Sequence, residues 1–165
     1  MKGWVGAFAF LAFAGNVFAV YDADGVPLGA SEREVRKRYP SARCKPLEWA
    51  SMAADRRCDD AKAVFAGMET RITFYLKKDA VEAFDVRFDF KFAERMAGVL
   101  KSRYGKPSAE EREFPDRPDA PPRELYKVLW EGKGERALIT ALSDKRRASL
   151  LVSRGRFEEE IYRVR

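Results

Sequence analysis

The feature that most constrains the fold is a period-two alternation of apolar and charged residues after residue 61. In residues 71–76 and 81–88 every second position is apolar: Ile72, Phe74, Leu76, Phe84, Val86 and Phe88. The intervening positions of the second stretch are charged, as Asp85, Arg87 and Asp89 show. This pattern is typical of antiparallel strands that bury one face and leave the other in water.

Two helices are predicted, each ahead of a group of strands. The first begins with a capping box, in which Ser31 and Glu34 satisfy each other's backbone amides, and ends near Tyr39. The second covers residues 90–104, with Asp89 as its N-cap and glycine after its last residue. A short helix is also expected within residues 46–55.

Further strands are predicted at residues 63–68, 124–130, 136–142 and 148–153. The proline-rich residues 108–122 are expected to form a solvated connector, and residues 157–165 an edge strand or a short helix. Helix followed by three strands therefore occurs twice, in possible half-repeats 28–89 and 90–165, with Tyr39 and Tyr104 65 positions apart. Either a duplication or a common unit used twice explains this. The predicted class is α+β: an antiparallel sheet of about six strands with helices packed on one face.

Residues 1–19 have the pattern of a cleavable secretory signal, although an uncleaved anchor is the alternative. A lysine precedes an apolar stretch, and small residues stand before the expected cleavage between Ala19 and Val20. Cleavage would release a soluble periplasmic or secreted protein, residues 20–165, as one domain without a transmembrane segment. Because Val20 is not a cysteine, no lipid anchor is expected.

Cys44 and Cys58 are the only cysteines, and in an exported protein such a pair is expected to form a disulfide. The chain contains no histidine, which removes the commonest general base and most transition-metal sites. We therefore expect no metal and no cofactor. The net charge of +6 is spread along the chain, which favours an anionic envelope component over nucleic acid as a partner.

Two pairs of carboxylates are candidates for acid–base chemistry of the kind that glycosidases use. They are Glu48 with Asp55, and Asp85 with Asp89. The same residues are equally typical of a solvated strand face carrying a charge ladder. A histidine-free hydrolase of envelope polymers is therefore the alternative to a noncatalytic protein.

The candidate binding residues are Trp49, Arg56, Arg57 and Trp130, because tryptophan and arginine dominate the energetics of protein interfaces. Trp49 lies in the loop that the expected disulfide closes, beside the two arginines. The alternative for Trp49 is a lid folded over the core.

The residues Gly29, Ser31, Glu34 and Val35, and again residues 104–107, resemble the helix entry and helix end of small bacterial envelope modules. The chain is similar in this respect to the BamE (SmpA/OmlA) family and to the beta-lactamase inhibitor protein family. The resemblance implies a noncatalytic binding or scaffold role in the periplasm, with another envelope protein as partner. An inhibitor or immunity-type protein is not separable from this by sequence.

Overall fold

The structure is a computed structural model that describes residues 21–116 and 118–163. The predicted signal at residues 1–19 and the cleavage before Val20 lie outside the described residues.

Ten strands and three short helices make up the described chain, which is α+β but richer in strand than the sequence predicts. Two strands of two residues, β1 (Asp22–Ala23) and β2 (Val26–Pro27), form a small hairpin. All the other strands lie in one antiparallel sheet: β3 (Arg43–Pro46), β4 (Arg56–Phe65), β5 (Met68–Lys77), β6 (Ala80–Asp89), β7 (Ala109–Glu113), β8 (Leu125–Glu131), β9 (Glu135–Leu142) and β10 (Arg147–Arg154). Their order across the sheet is β3-β4-β5-β6-β10-β9-β8-β7.

This order divides the sheet into two meanders of four strands that meet at the β6–β10 pair. Helix α1 (Glu32–Arg38) precedes the first meander, and helix α2 (Ala93–Tyr104) precedes the second. We call α1 with β3–β6 the N-terminal unit, and α2 with β7–β10 the C-terminal unit. Each unit therefore has one strand more than the sequence predicts.

The main core lies between the sheet and the two longer helices. The alternation predicted for β5 and β6 is confirmed, because Ile72, Phe74, Leu76, Phe84, Val86 and Phe88 are all buried in this core. Helix α1 contributes Val35, and α2 contributes Met96 and Leu100. Helix α3 (Phe157–Glu160) is a single turn that packs on the opposite face, against Tyr75. The helices are thus not all on one face.

The predicted helix caps are confirmed. The Glu34 amide donates to Ser31 Oγ at 3.3 Å, and the Ser31 amide donates to Glu34 Oε2 at 2.7 Å. Asp89 accepts from the Lys91 amide, although it caps a 3-10 turn (Phe90–Phe92) that leads into α2.

Three local predictions are wrong. Residues 46–55 form no helix, because their backbone groups bond elsewhere: the Leu47 amide donates to Asp55 O and the Met52 amide to Arg163 O. The strand expected at 63–68 is two strands, with the turn at Ala66 and Gly67 between them. The connector predicted at 108–122 contains β7, whose charged side chains bind α2 and β8.

The β1–β2 hairpin sits between the ends of α1 and α2. Tyr39 Oη donates to Ala23 O and Tyr104 Oη to Asp22 O, each at 3.2 Å. The arginine before each of these tyrosines also contacts Asp24. Arg38 Nε donates to its backbone oxygen at 2.8 Å, and Arg103 donates to its carboxylate at 2.6 Å. The two Arg-Tyr pairs thus join the two units through one hairpin.

Candidate functional site

The disulfide between Cys44 and Cys58 is present and joins directly opposed residues of β3 and β4. It closes a loop made of residues 45–57. The Glu32 carboxylate lies near both sulfurs, but two cysteines joined to each other offer no thiolate for a metal ion. The pair therefore acts as a structural link.

Arg56 and Arg57 point to opposite faces of the sheet. Arg56 lies on the helix side, where its Nε donates to Glu32 Oε2 at 2.8 Å. Arg57 lies on the other side, with Asp59 Oδ2 3.0 Å from its Nε. We call that side, which α1 and α2 do not cover, the open face. The two arginines therefore do not form one surface with Trp49.

Trp49 lies over the open face and contacts the C-terminal segment. Its Nε1 donates to Ile161 O at 3.0 Å, and its ring stacks on Tyr162 with the centroids 6.3 Å apart. Ser51 Oγ donates to Glu160 O in the same region. The loop closed by the disulfide thus holds residues 157–163, which we call the tail, on the sheet.

Trp130 is in the main core, with 1% of its surface exposed. Its Nε1 donates to Gly105 O at 2.9 Å, and its ring meets Tyr104 edge-on. The binding role predicted for Trp130 therefore has no exposed surface to act through in this structure.

Neither predicted pair of carboxylates faces a common cleft. Glu48 is exposed and paired with Lys45 at 2.5 Å, while Asp55 accepts from the Lys78 amide. Asp85 and Asp89 point to the same face of β6 but are four residues apart, which is about 13 Å along a strand. This exceeds the separation of about 5–9.5 Å that glycosidases use.

The open face has a different chemistry on its two halves. One row of directly opposed residues crosses all eight strands: Arg43, Asp59, Thr73, Asp85, Leu151, Leu138, Leu129 and Ala109. The row is polar in the N-terminal unit and apolar in the C-terminal unit. Four residues further along the same two strands, on the same face, Leu142 lies opposite Leu125.

We call Leu125, Leu129, Leu138 and Leu142 the leucine patch. All four are partly exposed. In the part of the chain that the structure describes, neither cluster of buried apolar side chains includes them. By contrast, Tyr75 and Leu151 pack against the cluster that the tail forms with the loop.

Two shallow depressions adjoin on the open face. One, of about 350 Å³, is lined by residues of β6, β9 and β10, among them Leu142 and Arg147. The other, of about 220 Å³, runs beneath the tail. Asp85, Arg87 and Ser149 line both, so the two depressions are continuous. Burial raises the pKa of Asp85, and the bond from Arg87 Nε at 2.8 Å opposes that rise.

Sequence reasoning missed the leucine patch. A signal was available, because residues 125–130 have leucines at 125 and 129 on the face that alternation assigns to solvent. Leucines on the face opposite a strand's buried side indicate either a second covering layer or a contact surface.

Comparison with protein-family models, with curated proteins and with solved structures found no match. Within residues 21–116 and 118–163, no helix is long and apolar enough to cross a membrane.

Proposed function

We propose that the chain is an exported, noncatalytic protein-binding module whose docking surface is the leucine patch. The observation that carries this is the unequal covering of one sheet face. Among the described residues, the tail covers the open face at Tyr75 and Leu151, whereas four leucines of the adjoining strands stay partly exposed. The leucines form two pairs on either side of the Lys127–Thr140 row, and apolar side chains left partly exposed beside polar ones are typical of a protein-interaction site.

Three further observations support this proposal. The disulfide suits an oxidising compartment such as the periplasm. The likeness of the helix entries to BamE-like and beta-lactamase inhibitor-like modules points to binding rather than catalysis. The separation and pairing of the acidic residues favour a binding protein over the carboxylate-dependent hydrolase.

The proposal is tested by photo-crosslinking in envelope extract, with a crosslinking amino acid placed at Leu138 or Leu129. We expect discrete adducts from these positions. The matched control is Arg95, which is exposed on α2 at the opposite side of the sheet. Adducts of equal yield and pattern from Arg95 would contradict the proposal.

A further inference from the structure

The two depressions of the open face form one groove that crosses the sheet. Asp85, Arg87 and Ser149 line both of them, and we call the two together the polar groove. It reaches from Thr140 of β9, over β10 and β6, to Tyr75 of β5. Four adjacent strands extend about 14 Å across a sheet. The polar groove is therefore long enough for a short linear oligomer.

The charges of the polar groove are balanced within the chain itself. Arg87 Nε donates to Asp85 Oδ2 at 2.8 Å, and Arg147 stands directly opposite Asp89 on the neighbouring strand. A charged ligand would compete with these pairs, because it would meet a like charge beside each opposite one. An uncharged ligand avoids this repulsion. The balance of charge thus favours a neutral ligand.

The same groove offers hydrogen-bonding groups that the chain does not use. Arg87, Ser149 and Thr140 are directly opposed on three adjacent strands. Among the described residues, the hydroxyls of Ser149 and Thr140 form no hydrogen bond, although both residues are partly buried. A guanidinium only donates, a carboxylate only accepts, and a hydroxyl does both. A ligand rich in hydroxyl groups can therefore bond to all three kinds of group at once.

Aromatic rings border the polar groove where it runs beneath the tail. The rings of Tyr75 and Phe157 lie with their centroids 5.3 Å apart, and Tyr162 is 82% exposed. An exposed ring next to polar groups suits a ligand that is apolar on one face and polar at its rim. Sugar rings have this character, because their C–H groups form apolar faces and their hydroxyls project from the rim.

We propose that the polar groove binds an uncharged oligosaccharide. Tyr162 packs against one sugar ring, while Asp85, Arg87, Ser149 and Thr140 bond to the hydroxyls of the rings that follow. No cleavage is expected, because the aspartates of this face are farther apart than the paired carboxylates of glycosidases. This site adjoins the leucine patch, but the inference does not rest on the proposed function.

Oligosaccharides of one length and different charge test the inference. Cellotetraose and chitotetraose, which are both neutral, are titrated into the ¹⁵N-labelled protein. The tetramer of glucosamine in its protonated form is the charged comparison, because it shares their backbone. We expect at least one neutral tetramer to shift amides of β6, β9 and β10, and the charged tetramer to bind about five-fold more weakly. Binding by neither neutral tetramer, or equal binding of the charged one, would overturn the inference.

Paired variants locate the contact. Ser149→Ala should weaken oligosaccharide binding about five-fold, because it removes one hydrogen-bonding group from the polar groove. Ser102→Ala, the same change on the exposed side of α2, should leave binding unchanged. Tyr162→Ala should also weaken binding about five-fold, whereas Tyr162→Phe keeps the ring and should retain it. Equal affinities of the two serine variants, or amide shifts confined to α1 and α2, would overturn the inference.

The failure of this inference and that of the proposed function are distinguishable. Discrete crosslinks at Leu138 without oligosaccharide binding would reject the sugar site and leave the protein-docking surface standing. Oligosaccharide binding in the polar groove without discrete crosslinks would reject the docking surface and support the sugar site.

Discussion

The two units share an order of elements but differ in what covers their open faces. In the N-terminal unit the disulfide-closed loop and the tail lie on the sheet, with Trp49 bonded to Ile161, and the cover reaches Leu151 and Arg136 at the near edge of the C-terminal unit. Further along the same side of the C-terminal unit, four leucines are partly exposed, and within residues 21–116 and 118–163 they belong to neither buried apolar cluster. The difference teaches that one side of the same sheet serves two purposes. One half holds the tail and the disulfide-closed loop, and the other carries the leucine patch that we propose as a docking surface.

The largest expected effect comes from comparing the two tryptophans. Trp130→Ala should lower the free energy of unfolding by about 3–5 kcal/mol, because it empties a buried site and leaves Gly105 O without its donor. Trp49→Ala should lower it by only about 1–2 kcal/mol, because the ring is partly exposed and its partners, Ile161 and Tyr162, belong to the tail. Urea unfolding measures both. Equal losses would show that the contact between the loop and the tail stabilises the chain as much as the main core does.

Removing the disulfide should weaken the N-terminal unit selectively. Cys44→Ala with Cys58→Ala should lower the free energy of unfolding by about 3 kcal/mol, since the crosslink restrains a loop in the unfolded chain. Amide exchange should accelerate in residues 47–55 and in the tail. β7 and β8 are the internal control, and equal acceleration there would contradict a unit-specific role.

A third pair of variants compares matched positions on the open face. Tyr75→Ala should cost about 2 kcal/mol, because Tyr75 lies beneath Phe157. Leu138→Ala should cost less than about 1 kcal/mol, because Leu138 is partly exposed and uncovered. Urea midpoints at constant m-value give both numbers. A larger loss for Leu138 would mean that the leucine patch belongs to the core.

The smallest effect concerns the boundary between the halves, where Asp85 has a raised pKa because of burial. The folded state therefore holds its proton more tightly than the unfolded chain, so this group's contribution to stability falls as pH rises through its folded pKa. We expect Asp85→Asn to gain stability relative to the wild-type protein between pH 4 and pH 7. Unfolding titrations at both pH values test this, and Asp116→Asn in the exposed connector is the control.

Local patterns predicted much of this fold because they depend on neighbouring residues. The capping box at Ser31 and the alternation through Phe74 and Phe84 both appear as expected. The wrong predictions concern segments whose structure depends on contacts with residues distant in the sequence. Residues 46–55 are held by backbone bonds to the tail, and β3 is held beside β4 through Cys44 and Cys58.

The candidate site was beyond sequence reasoning for a related reason. Trp49 and Trp130 were both predicted to bind a partner, but the register of β8 buries Trp130, while Trp49 is held by a bond to Ile161, which lies 112 residues away in the sequence. The leucine patch depends on which leucines of β8 and β9 lie opposite each other. It also depends on where the described tail lies, which is over Tyr75 and Leu151. A pattern within one segment does not contain either quantity.

The hairpin held by the two Arg-Tyr pairs has a consequence for the order of events during folding. Its carbonyl oxygens at Asp22 and Ala23 accept hydrogen bonds from the hydroxyls of Tyr104 and Tyr39. The bond between Tyr104 and Asp22 joins residues 82 positions apart in the sequence. Because synthesis runs from the amino end, the hairpin leaves the ribosome before either helix, yet its docking site is complete only after Tyr104 has followed. Residues 22–27 are therefore made long before their native neighbours are.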